Sequence, residues 1–121
     1  MTTEEKVSVV LQALDERKAQ EIRVLDVSER TQLTDRLIIC SGTSNIHIRA
    51  VVDRILEMMK ERGIKGIRCE GYREARWVLI DFGDVVVHVF DPEERAYYRL
   101  EEFWTRAPRP AEASLPASQA G

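Results

Sequence analysis

No stretch of these 121 residues is apolar enough to cross a bilayer: the hydrophobic runs last only a few residues, whereas a spanning helix needs about 20. Positive charge is not in excess either. Eighteen Lys and Arg stand against 21 Asp and Glu, a net charge of −3, which argues against a broad, sequence-blind grip on nucleic-acid phosphates and suits a basic protein partner. Cysteine is scarce. Cys40 and Cys69 sit inside apolar stretches with no second pair at zinc spacing, and both read as small buried hydrophobes without a disulfide or metal role. The opening Met1-Thr2-Thr3-Glu4-Glu5-Lys6 lacks the basic head and apolar run of a secretory signal, so a cytoplasmic protein is expected. The chain is also too short for two cores of ordinary size, which leaves one domain.

What is present is a periodicity that alternates between helix and strand. Val7, Val10, Leu11 and Leu14 recur at helical spacing between Glu4 and Ala19, with Thr3 as the expected N-cap. Ile22 to Val27 is patterned as a strand. After a polar connection, Arg36-Leu37-Ile38-Ile39-Cys40 is apolar on consecutive positions, as in a strand covered on both sides. Gly42-Thr43-Ser44 breaks it, and Ser44 caps a long helix with the stripe Ile48, Val51, Val52, Ile55 and Met59, ended by Gly63. A strand near Ile67 to Glu70 completes a strand–helix–strand crossover, expected to be parallel and right-handed.

The clearest local signal lies between Trp77 and Phe90. Two β-rich runs flank Gly83-Asp84, a Gly-first two-residue turn, and predict a hairpin that pairs Trp77 with Phe90, Val78 with Val89, Leu79 with His88, Ile80 with Val87 and Asp81 with Val86. Period-two alternation then puts Val78, Ile80, Phe82, Val85, Val87 and Val89 on a core face. The opposite face carries Trp77, Leu79, Asp81, Val86, His88 and Phe90, too apolar for a surface left to water. Its expected cover is either another helix of the chain, the first or a short C-terminal one, or a binding partner. Trp77, close after Tyr72 and Arg73, has the composition of a protein-binding hot spot. The segment after Pro92 is expected to form a short helix with Tyr97, Tyr98, Leu100, Phe103 and Trp104 as its apolar content. Together these elements predict an α/β fold, a single domain over residues 1–106 with a mixed sheet of about five strands and flanking helices, followed by a disordered tail over 107–121.

Catalytic readings are weaker. His88 and Asp81 share a face and invite a general-base pair, but no Ser or Cys nucleophile with an oxyanion site accompanies them, and His47 has no partner at ligand spacing. Gly42-Thr43-Ser44 before a helix would cradle a phosphate on backbone N–H groups, yet it lacks a Walker lysine and a complete dinucleotide fingerprint. It resembles the start of a nucleotidyltransferase site whose following strand, here Arg68-Cys69-Glu70, has no Asp-x-Asp for two metals. No cofactor and no metal are therefore assigned.

Two longer motifs carry a family likeness. Glu70-Gly71, Trp77 to Phe90, and Arg95-Ala96-Tyr97-Tyr98-Arg99-Leu100-Glu101-Glu102-Phe103-Trp104 closely resemble the ribosomal silencing factor family, the Iojap-like proteins. Upstream, Leu33-Thr34-Asp35-Arg36-Leu37-Ile38-Ile39-Cys40-Ser41-Gly42-Thr43-Ser44-Asn45 resembles the same family's first signature, so the likeness covers most of Glu21 to Trp104. The departure is Arg36, where the family usually has an aromatic residue. The resemblance implies a fold similar to nucleotidyltransferases without their catalytic carboxylates. It also implies a non-enzymatic translation repressor that binds the large ribosomal subunit through ribosomal protein fourteen and blocks subunit joining when nutrients are short, with a homodimer off the ribosome and no specific nucleic-acid readout. On these residues it points to Trp77, Leu79, Tyr98 and Leu100 as apolar anchors, with Glu70, Asp81 and His88 meeting basic and polar groups. Alternatives are a nucleotide-binding or degenerate nucleotidyltransferase-like enzyme using Thr43 and Ser44, and a plain homodimerisation module.

Overall fold

Residues 1–94 are described by a computed structural model. In chain order the elements are α1 (Thr3–Glu16), β1 (Gln20–Asp26), β2 (Arg36–Ser41), α2 (Asn45–Glu61), β3 (Arg68–Glu70), β4 (Trp77–Asp81) and β5 (Val85–Phe90). The strands form one mixed sheet in the order β1-β2-β5-β4-β3, with β2 and β5 parallel and the other neighbours antiparallel. This is the expected mixed α/β domain.

The β4–β5 hairpin has the expected register throughout, from Trp77 opposite Phe90 to Asp81 opposite Val86. It closes through the Phe82 N–H donating to the Val85 carbonyl at 2.9 Å. The β2–α2–β3 crossover is parallel in direction, because β3 opposes β4, β4 opposes β5, and β5 runs with β2. The two strands are nonetheless not neighbours: the hairpin takes both places between them. That puts β5 at the centre of the sheet, and all six of its residues are buried, which explains its apolar side chains on consecutive positions.

Both helices pack on one face. Val7, Val10, Ala13 and Leu14 of α1 and the expected stripe of α2, extended by Met58, join Ile38, Cys40, Val78, Ile80, Val87 and Val89 in the main core. A second cluster occupies the other face: Val27, Leu37, Ile39, Val86 and Phe90, with Leu25, Trp77 and Leu79 packed against it. It contains no residue of α1 or α2. The expectation that α1 could cover the outer face is therefore corrected, because the hydrophobic stripe of α1 is already spent on the inner one. Tyr97, Tyr98, Leu100, Phe103 and Trp104, together with the 106/107 boundary and the tail, lie outside the described residues.

Three local expectations change. The cap of α1 is Thr2, not Thr3: its hydroxyl accepts the Glu5 N–H at 3.1 Å while Glu5 Oε1 accepts the Thr2 N–H at 2.8 Å, a reciprocal capping box. The helix ends at Glu16 because Lys18 takes a left-handed conformation (φ 58°) that lets the Ala19 N–H reach back to the Leu14 carbonyl. Cys69 is exposed rather than buried, since three-residue β3 is an edge strand open along its whole length; Cys40 is buried.

Thr3 and Asp84 turn out to join α1 to the hairpin. Asp84 Oδ2 accepts from the Thr3 hydroxyl at 2.6 Å, and Oδ1 accepts from Lys6 Nζ at 2.7 Å. Burial raises the Asp84 pKa, but the hydrogen bonds from Lys6 and Thr3 more than offset it and hold the carboxyl below its ordinary value. Its contribution to stability is therefore present above the unfolded-state pKa and is lost as pH falls through the folded one. Asp84→Ala is expected to cost about 1–2 kcal/mol in urea unfolding at neutral pH, because it leaves the largely buried Lys6 ammonium without its carboxylate. Arg36 acts at the same end of the sheet, reaching Glu4 at 2.7 Å and Asp26 at 3.2 Å, so the atypical residue ties β2 to α1 and to β1.

Candidate functional site

On the outer face, strand register sets side chains in rows across the sheet. One row is Ile39, His88, Leu79 and Glu70; the next is Leu37, Val86, Asp81 and Arg68; a third holds Ser41, Phe90 and Trp77. With neighbouring strands about 4.8 Å apart, the first row spans about 14 Å. Exposure rises along it. Ile39 and His88 are fully buried, Leu79 is partly buried, and Glu70 on the edge strand is exposed. The open part of the face is thus the β4–β3 side, where Trp77 and Leu79 are partly exposed beside Asp81 and Glu70. Asp81 Oδ1 accepts the Gly83 N–H at 2.7 Å, and Glu70 lies 3.7 Å from Arg68.

Trp77 is held from behind. Its ring packs on Phe90 with centroids 4.7 Å apart, and its indole N–H donates to His88 Nδ1 at 2.9 Å. His88 in turn stacks on Phe90, 5.8 Å between centroids and 10° between planes. The indole nitrogen can only donate, so His88 Nδ1 must be an unprotonated acceptor and the neutral ring carries its proton on Nε2. That Nε2 is buried and has no hydrogen-bond partner among the described residues. Burial drives the His88 pKa down to about 3, which keeps the ring neutral at cellular pH.

This geometry bears on two readings of His88. His88 and Asp81 do not form a general-base pair, because the imidazole faces the indole and the carboxylate faces the turn. His88, to which the resemblance gives a contact role, has no exposed surface and lies behind Trp77. Sequence spacing had no means of choosing: Trp77 and Asp81 flank Leu79, and both are diagonal neighbours of His88. Tyr72, by contrast, leaves the face. Its hydroxyl donates to Asp53 of α2 at 2.8 Å, while Arg49 donates to the carbonyls of Tyr72 and Arg73, tying the β3–β4 connection to the helical side. Tyr98 and Leu100 lie outside the described residues.

At the β2–α2 junction the candidate phosphate loop is already engaged. The Thr43 N–H donates to His47 Nδ1 at 2.9 Å, and Ser44 Oγ caps α2 by accepting the His47 N–H at 3.0 Å. His47 is a connector, since its Nε2 lies 2.7 Å from the Arg17 carbonyl at the end of α1. Gly42 is required by packing: a Cβ there would come within 2.6 Å of Ile48 Cγ1. Among the described residues no group of three or more His, Cys, Asp or Glu side chains could hold a metal ion, and no helix is long and apolar enough to cross a membrane.

The profile of one family, described as "Ribosomal silencing factor during starvation", matches residues 1–121. The chain belongs to the ribosomal silencing factor family. Halalkalibacterium halodurans has a ribosomal silencing factor 42% identical over 108 residues, 89% of this chain and 92% of that protein. The crystal structure of a Chromobacterium violaceum protein, 38% identical, superposes with a TM-score of 0.84 over 87% of this chain and 88% of that one. A mouse relative named "Mitochondrial assembly of ribosomal large subunit protein 1" is 33% identical over 102 residues, which make up 82% of this chain and 45% of the mouse protein. Membership in the silencing-factor family accords with the resemblance carried by the hairpin and the Leu33 to Asn45 stretch.

Proposed function

We propose that this silencing factor represses translation without catalysis, by seating the open β4–β3 side of its sheet on ribosomal protein fourteen at the intersubunit surface of the large subunit and excluding the small one. The observation that carries the reading is Trp77, partly exposed beside Leu79 and bordered by Asp81 and Glu70, on a face to which neither α1 nor α2 contributes. An aromatic anchor beside the Asp81 and Glu70 carboxylates, with Arg68 next to both, suits a partner carrying basic and polar groups, and the net charge of −3 steers toward a basic ribosomal protein and away from ribosomal RNA. Tyr98 and Leu100 would extend the apolar contact. The same face would serve a homodimer in the cytoplasm when the ribosome is absent.

Sedimentation with isolated large subunits tests the proposal. Wild-type protein is expected to pellet with large subunits and to reduce their joining to small subunits. Trp77→Ala should weaken binding by about 2 kcal/mol, roughly thirtyfold, with its fold intact by circular dichroism. Unchanged binding by a folded Trp77→Ala protein would remove this face from the interaction.

A further inference from the structure

We infer that His88 is a positioning residue for docking: its Nδ1 holds the Trp77 indole in the orientation in which the partner receives it. The inference rests on the docking reading above and adds to it a residue that the partner never touches. Three observations carry it. His88 is fully buried while Trp77 is partly exposed, so the 2.9 Å bond runs from the interior outward to the ring. Phe90, also fully buried, packs against both rings and leaves the indole a defined seat. Among the described residues the other imidazole nitrogen has no partner, so there the polar ring makes one hydrogen bond, to Trp77.

A buried histidine with one nitrogen unsatisfied is costly compared with a phenylalanine of similar shape. Its presence is accounted for if the acceptor does something a hydrocarbon cannot. An exposed tryptophan free to change rotamer loses that freedom on binding, whereas one already held loses little. The neutral ring state makes the hold constant, because the Nδ1 lone pair is available throughout the cellular pH range.

The test compares His88→Phe, which retains an aromatic ring without the acceptor, with His88→Asn, whose Oδ1 can stand near the place of Nδ1. Affinity for isolated large subunits is measured alongside the Trp77 indole N–H resonance, assigned with a Trp77→Phe variant. His88→Phe is expected to fold, to shift that resonance and to bind roughly threefold to tenfold more weakly, the range expected for one newly mobile side chain. His88→Asn is expected to recover most of the affinity. Trp77→Phe removes the donor from the other side, so His88→Phe added to it should cost nothing further. Trp77→Phe alone should weaken binding at least as much as His88→Phe, and wild-type affinity in folded Trp77→Phe would overturn the positioning role even if His88→Phe fails to fold. Wild-type affinity in folded His88→Phe, while Trp77→Ala binds weakly, overturns the positioning role and leaves the docking face standing. Equal losses in folded His88→Phe and His88→Asn would assign the effect to shape and also overturn it. Wild-type binding by Trp77→Ala would overturn both.

Discussion

Gly71→Ala is expected to destabilise the domain by about 3–4 kcal/mol, a large share of the roughly 5–15 kcal/mol that holds a domain of this size folded. Gly71 follows β3 with φ +84°, a region where a side chain is strained. A Cβ built there falls 2.2 Å from the Trp77 carbonyl oxygen, 3.3 Å from its carbon and 3.5 Å from Val78 Cα. All three are backbone atoms of β4, so no rotamer change relieves the clash and the strand itself must move. Trp77 begins that strand, which means that the displacement reaches the outer face as well as the core. Gly83→Ala is the control. Its φ of +91° imposes similar backbone strain, but nothing lies within 4 Å of the added carbon, so its cost should be about 1 kcal/mol. Chemical denaturation of the two variants reads the difference, and equal losses would show that β4 yields to the intruding methyl group.

Acidification is expected to weaken the fold well above the carboxylate range, with His88 as the cause. The folded pKa is about 3, against an ordinary value of 6.5 for a solvated imidazole. Between those values the unfolded chain takes up a proton that the folded chain refuses. Stability is therefore fully present above about pH 6.5 and falls as pH is lowered toward about 3, at up to about 1.4 kcal/mol per pH unit. From about pH 6.5 to about pH 5 the loss due to this residue is about 2 kcal/mol. The charged side chains facing that side of the sheet are Asp81 on β4, Arg68 and Glu70 on β3, and Arg23 on β1, and none of them forms a hydrogen bond with the imidazole among the described residues. The carboxyl of Asp84 adds its own loss lower in the pH range. Urea unfolding of wild type and His88→Phe across this window isolates the histidine: the variant's curve should be flatter by that amount. Parallel curves would mean that the imidazole takes up its proton inside the fold.

The register of the β4–β5 hairpin and the identity of its two faces were legible in the sequence because they follow from local rules. A Gly-Asp turn of two residues sets which residues pair, and period-two alternation then assigns every side chain to a face. The long helix was legible for the same reason: Ser44 and the stripe Ile48, Val51, Val52, Ile55 and Met59 lie within one continuous segment. The outer face could be recognised as unusual, and its candidate residues Trp77, Leu79, Asp81 and Glu70 are brought onto one side of the sheet by the observed register.

What only the tertiary structure decided was the choice among partners that local rules leave equivalent. His88 has two diagonal neighbours on its face, and the packing of Phe90 under both rings turned it to Trp77 rather than Asp81. Thr3 and Lys6 meet Asp84 across about two-thirds of the chain, and no pattern in either segment encodes that meeting. The separation of β3 from β2 by the hairpin is of the same kind, since a crossover specifies direction but not how many strands enter between its ends. Pattern along the chain determines which side of an element is apolar. Contacts between elements distant in sequence, such as those of Thr3 and Lys6 with Asp84, depend on how those sides close over one another.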